Sequence, residues 1–345
     1  MSTRSARAAF SLALVLGLCP FAGGCAGSSK AGAAASPPPL RLGMVSQVGS
    51  LGERESAHAG LRAAQLRLGA QIEALDSKTP ADYASNLQLL ADEDYDDVFA
   101  IGDSLAGDLE HVARGYPKRH FAIVGAIVDQ PNVTSIVFRE EDGAFLAGAV
   151  AALVSRSKTI AFLGDGEGPR SQKFEAGYIA GARQIDPRVR VLVAHTGSPD
   201  DAAAGKRAAG QLFSRHADVI FVAAGQAGLG AFDELRSRTG GYLIGSGTDQ
   251  DGLVPGKVLT SVVERVDVVV YTLAEETLSQ KTPSGQLSFG LSEGGIGLTD
   301  FRYTRNTVGT LKLARVAAVQ RAIVDGSITP PQNRAQLAAF KPVAL

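Results

Sequence analysis

Tryptophan is missing from this chain, cysteine and methionine occur twice each, and histidine only five times in 345 residues. Each scarcity excludes something. Both cysteines, Cys19 and Cys25, lie near the amino end, so the body has no disulfide framework to lean on. The histidines at 58, 111, 120, 195 and 216 are scattered without the spacing of metal ligands. Neither sign of charge dominates, with 34 basic against 35 acidic residues and no basic stripe, so nucleic acid is not an expected partner. Beyond the first 25 residues no apolar run approaches the ~20 residues of a membrane-spanning helix.

What is present begins with an address. Arg4 and Arg7 precede the short apolar run Phe10–Leu18, and Phe21-Ala-Gly-Gly24 leads into Cys25. A basic start, a short apolar stretch and small residues before a cysteine predict a signal peptide over 1–24 and lipidation of Cys25. An ordinary secreted protein with an incidental Cys25 is the alternative. Residues 25–39 are small, polar and proline-ended, too poor in apolar side chains to build a core, and are expected to act as a flexible tether. The expected location is outside the cytoplasm, anchored to a membrane.

From Leu40 onward, short apolar runs alternate with helical patterns. Strands are expected at Arg41–Ser46, Asp97–Gly102, Phe121–Gly125, Thr159–Gly164, Val189–His195, Asp218–Ala223, Tyr242–Gly245 and Val258–Val263. In Glu141–Ser155, Phe145, Leu146, Ala149, Val150, Leu153 and Val154 recur at helical spacing, and Phe174, Tyr178, Ile179 and Ala182 do so in the next helix. Near-continuous apolar strands between helices predict an α/β protein with parallel sheets covered on both faces. Asp97–Gly102 and Asp218–Gly225 both read as strand, glycine turn and helix, which predicts two related lobes whose strand ends share a crevice.

Three motifs invite a chemical reading. Gly102-Asp-Ser-Leu105 has the form of a GDSL-type esterase turn, but the required Asp-x-x-His near the carboxyl end is missing and no histidine follows His216. Gly225-x-x-Gly228-x-Gly230 follows a strand and opens a helix, yet lacks a Lys-Ser/Thr ending and the dinucleotide-binding spacing. Asp249-Gln250-Asp251 lacks the further oxygen ligands of a calcium loop and reads better as a hydrogen-bonded turn. No cofactor, metal or catalytic residue is therefore expected.

A set of ordered segments carries a family resemblance: Tyr116-Pro117, Phe121-Ala-Ile123, Pro131-Asn-Val133, Phe145-Leu-Ala-Gly148, Phe174-Glu-Ala-Gly177, the glycine turn from Ala223 to Phe232, Pro255–Val262, Arg265-Val-Asp267 and Glu293–Gly297. From about Leu40 to about Val324 the chain resembles the basic membrane lipoprotein (Bmp/Med) family, which includes purine nucleoside receptors of ABC importers. The resemblance implies two Rossmann-like lobes of the type I periplasmic-binding-protein fold, joined by three crossovers and closing on a small molecule. It places one lobe at 40–139 plus about 262–283, and the other at 140–261 plus about 284–345. An ABC importer permease is the implied partner.

The same resemblance marks where the ligand residues should fall, and several are changed. In nucleoside-binding members an Asp-Lys-Ser-Phe-Asn run follows the first strand; the matching segment is Ser50-Leu-Gly-Glu-Arg54, so Glu53 replaces the stacking Phe and Arg54 the Asn. Gly125 and Gly247 stand where the family has acidic residues, and Glu264 where it has Lys. Loss of the aromatic platform forfeits about 1–3 kcal/mol of stacking. The expected cleft comprises Ser46, Ser50, Glu53, Arg54, Asp103, Ser104, Gly125, Gly225, Gly228, Gly247, Thr248, Asp249, Gln250 and Glu264, with Phe174 and Phe232 as core. The two extra acids and two glycines fit a cationic or polyol-like ligand, unless Arg54 or Arg170 pairs with the acids. A degenerate cleft serving as an interaction module is the other reading.

Overall fold

The computed structural model describes residues 38–49 and 51–345, so the expected signal peptide, Cys25, most of the tether and Ser50 lie outside the described residues. The chain runs β1 (Arg41–Ser46), α1 (Leu51–Leu68), β2 (Gln71–Asp76), α2 (Tyr83–Asp92), β3 (Asp97–Ile101), α3 (Ala106–Gly115), β4 (His120–Val124) and β5 (Val133–Phe138). It continues through α4 (Glu140–Val154), β6 (Thr159–Gly164), α5 (Pro169–Ile185), β7 (Arg190–His195), α6 (Ala202–Ser214), β8 (Val219–Ala223), α7 (Leu229–Arg236), β9 (Tyr242–Gly247) and β10 (Val258–Glu264). Last come α8 (Val266–Leu278), β11 (Gly285–Phe289), β12 (Ile296–Leu298), α9 (Arg305–Val308), α10 (Thr310–Val324) and α11 (Arg334–Ala339). No helix among the described residues is long and apolar enough to cross a membrane.

The strands form two six-stranded sheets, ordered β11-β5-β4-β3-β1-β2 and β12-β10-β9-β8-β6-β7. All pairings are parallel except β10 with β12. The expected α/β class with two Rossmann-like halves is therefore what forms. β3, β6 and β8 are buried along their whole length, as strands covered on both faces must be. On the first sheet, Leu42, Phe99 and Ile101 pack under Leu61, Val269 and Leu273 of α1 and α8. Its other face packs Val45, Val98 and Phe121 against Leu87 and Leu90 of α2 and Leu109 of α3.

The repeat read from Asp97 and Asp218 has a structural counterpart. β3 and β8 occupy corresponding places in the two strand orders, and each runs through a short 3-10 turn into its helix. The chain passes between sheets after β5, after β10 and after β11. Two of these passages differ from the positions expected. β10 stays paired in the second sheet through Glu264 rather than leaving at 262. Gly285–Phe289 adds to the edge of the first sheet beside β5, close to the lobe boundary that the resemblance placed at about 284.

α4 is buried all round rather than on one face; only Leu153 among its residues is partly exposed. Glycines make this possible. A Cβ added at Gly148 would overlap the Tyr178 carbonyl oxygen, and one at Gly181 would overlap that of Phe145. The backbones of α4 and α5 thus touch directly, which explains the small residues in the Phe-Leu-Ala-Gly and Phe-Glu-Ala-Gly segments. The end of the chain fastens over this seam: Gln332 donates to Glu141, Arg334 pairs with Glu175, the Gln184 amide bonds the Val343 backbone and Phe340 packs edge-on to Phe145.

Candidate functional site

The carboxyl ends of β1, β3 and β4 bring Ser46, Gly102–Ser104 and Gly125 to one edge of the first sheet. The ends of β8, β9 and β10 bring Gly225, Gly247–Gln250 and Glu264 to an edge of the second. The two edges meet. A Cβ at Gly52, in the first turn of α1, would overlap the Thr248 side chain beyond β9. Glu53, next along α1, interacts through space with Glu264, Arg170 and Asp103.

Charge pairing within this recess is uneven. Arg170, in the first turn of α5, donates to Glu264 at 2.6 Å and to Glu140 at 3.3 Å. Lys173, one turn further along, donates to Glu140 at 2.9 Å. Arg170 keeps 59% of its side-chain surface open to solvent. Glu264 raises its affinity for a proton above that of a free guanidinium, with Glu140 and Glu53 adding to the effect against the pull of burial. Burial pushes the Glu264 carboxyl up, with Arg170 opposing. Glu53 differs. Its carboxylate accepts no hydrogen bond and joins no ion pair among the described residues. Burial first, then repulsion from Glu264, raises it to about 7.

Other expected site residues have mainly structural partners. Ser46 is buried and donates to Asp76 at 3.1 Å. Arg54 turns to the same Asp76, at 3.3 Å, so of the two arginines considered for neutralising the acids only Arg170 does so. The Gln250 backbone N–H donates to Ser261 and its side-chain oxygen accepts from the Ser246 N–H, while Asp249 accepts from the Asp251 N–H. Asp251 itself is buried and receives both the Ser261 and Thr299 hydroxyls. The segment is a hydrogen-bonded turn. Gly225 and Gly228 belong to a packed turn: the Ala227 N–H between them donates to the Pro199 carbonyl, and a Cβ on Gly228 would press on Val222.

The Ser104 hydroxyl donates to Asp103 at 3.4 Å, and its N–H to the Gln47 side chain; no imidazole bonds it among the described residues. His120 is engaged elsewhere, with Asp97 and Thr134. Phe174 and Phe232 are core residues, 4% and 1% exposed. Sequence reasoning missed Glu140 and Lys173. Glu140 opens a run of three acids, Glu140-Glu-Asp142, immediately after the first passage between sheets, and that position was the available signal.

A family model described as "Bmp: ABC transporter substrate-binding protein PnrA-like" matches residues 43–325. This chain belongs to the Bmp family. Among curated relatives, it is 32% identical to a CD4+ T-cell-stimulating antigen of Listeria innocua, with 94% of this chain and 98% of that protein covered. It is 30% identical to the ABC transporter nucleoside-binding protein BmpA of Lactococcus lactis, over 85% and 90% of the two chains. A solute-binding protein of an ABC transporter system from Aeropyrum pernix superposes with a TM-score of 0.70, at 24% identity, over 87% of this chain and 96% of that one. The fold it shares is that of type I periplasmic binding proteins, and this Bmp protein is an ABC substrate-binding protein by family.

Proposed function

We propose that the chain, anchored outside the cytoplasm through a lipid on Cys25, holds a small molecule between its two sheets and presents it to an ABC importer permease. The observation that carries this reading is the convergence of both sheets at one recess, where α1 meets β9 and Glu53 faces Glu264 and Arg170. A ligand touching both edges would favour the closed arrangement, with the three passages as hinges. On this reading the two lobes are the two sheets with their covering helices.

The ligand is not held in the manner of nucleoside-binding relatives. Glu53 offers no stacking face, and glycines at 125 and 247 offer no side-chain hydrogen bonds, each worth about 1–3 kcal/mol where a partner is left unmet. A thermal-shift screen of the purified protein against nucleosides, sugars, polyamines and amino acids tests the reading. Stabilisation by one class is expected; unchanged melting across the panel would count against a binding role. Cys25→Ala should move the protein from the membrane fraction to the soluble one, and retention there would remove the lipid anchor.

A further inference from the structure

At the amino ends of β6 and β7, the carboxyl ends of α4 and α5 and the start of α10 enclose a groove of about 630 Å³. Leu153, Ile185 and Leu311 line it, and Leu311 is 85% exposed. Four cations line it too: Lys158, Arg188, Lys312 and Arg315. Asp186 is the one acid in this lining, and it already pairs with Lys158 at 3.5 Å and Arg188 at 3.7 Å. Lys312 and Arg315 join no ion pair among the described residues. Both sit in the first two turns of α10, which has no acid in its first turn, so their charges oppose the positive end of that helix. Helix energetics alone would place acids there.

A face that joins an exposed leucine to unpaired cations suits a lipid surface, with apolar side chains for the acyl boundary and positive charge for anionic headgroups. The anchor proposed above keeps such a surface near. Thirteen residues of reach separate Cys25 from Pro38, about 45 Å at full stretch. We propose that the groove is a second contact with the membrane: Leu311 seats among the lipids while Lys158, Arg188, Lys312 and Arg315 meet the phosphates of anionic phospholipids. This rests on the lipid anchor and is independent of the ligand. The groove lies at the end of the second sheet opposite the recess, so the contact holds the recess clear of the bilayer and open to ligand.

Co-sedimentation of the purified full-length, unlipidated protein tests the proposal, with vesicles containing phosphatidylglycerol compared against phosphatidylcholine alone. Tighter binding to the anionic vesicles is expected, weakening as salt is raised. Lys312→Glu with Arg315→Glu should lower that binding roughly tenfold or more, and Leu311→Ser severalfold. The charge-reversed pair should melt no lower than the parent, because acids suit that end of α10, which separates lost contact from lost folding. Arg62→Glu with Lys118→Glu, an equal change of charge at exposed positions on the first-sheet half, should leave binding nearly unchanged. The amino-terminal residues are common to every variant, so differences among them report the folded body. Equal capture by both kinds of vesicle would overturn the proposal and leave the cations to an acidic protein surface. An equal loss from the two charge-reversed pairs would also overturn it, marking general attraction instead of a contact face. Neither result reaches the anchor, which is judged separately by where Cys25→Ala fractionates.

Discussion

The seam between α4 and α5 and the recess between the sheets are both built on glycines, for opposite reasons. In the seam, Gly148 and Gly181 each lie against a carbonyl of the facing helix, and no space for another atom remains. In the recess, Gly125 and Gly247 have left-handed backbones, at φ +96° and +83°; a Cβ at Gly247 would stand in open space, and one at Gly125 would make ordinary contact with Asp103. At the seam Gln332 donates to one Glu141 oxygen and Arg334 pairs with Glu175, while the other Glu141 oxygen is buried without a hydrogen bond and burial pushes that carboxyl up; in the recess the Glu53 carboxylate accepts no hydrogen bond among the described residues. One region is filled by the protein itself. The other has room left over at Gly247, which is what distinguishes a binding surface from a packing surface.

Substitutions can break that contrast. The largest effect is expected from Gly181→Ala, since its Cβ must displace the Phe145 carbonyl; chemical denaturation should show a loss of about 3 kcal/mol or more. A loss under about 1 kcal/mol would mean that the seam can open. Gly247→Ala meets no atom, so it should cost only the left-handed backbone penalty, about 1 kcal/mol, and leave the fold intact. The smallest effect is a gain. The Glu53 carboxyl ionises near its usual 4.5 when unfolded but only at about 7 when folded. Between those values the folded state holds the extra proton, so this residue's contribution makes stability fall as pH rises from about 4.5 to 7. Glu53→Gln should match the parent at pH 4 and melt about 2–4 °C higher at pH 8. Equal melting curves at both pH values would show Glu53 to be already compensated.

The centre of each sheet was legible because a strand buried on both faces writes its burial as an unbroken apolar run, as Val98-Phe-Ala-Ile101 and Val219–Ala223 do. Edges were not. β2, Gln71-Ile-Glu-Ala-Leu-Asp76, is half exposed, and β11, Gly285-Gln-Leu-Ser-Phe289, buries only its last residue; short mixed sequences like these resemble loops. In the recess, Glu53 and Glu264 were reached through the family pattern, and Arg170 through the charge it could cancel. Glu140 and Lys173 were not reached, because their meeting with Arg170 depends on α4 and α5 starting side by side. Spacing along the chain does not encode that.

The fastening of the carboxyl-terminal segment over the helix seam bears on the order in which the molecule is made. Gln332 lies 191 residues beyond the Glu141 it caps, and the Val343 backbone 159 beyond Gln184. A chain emerging amino end first therefore completes most of its first sheet long before the second can close. Until residues 332–343 have been made, Phe145 lacks the ring of Phe340 and Gln184 lacks the Val343 backbone, so this late segment is the clasp over a seam whose two helices are made much earlier.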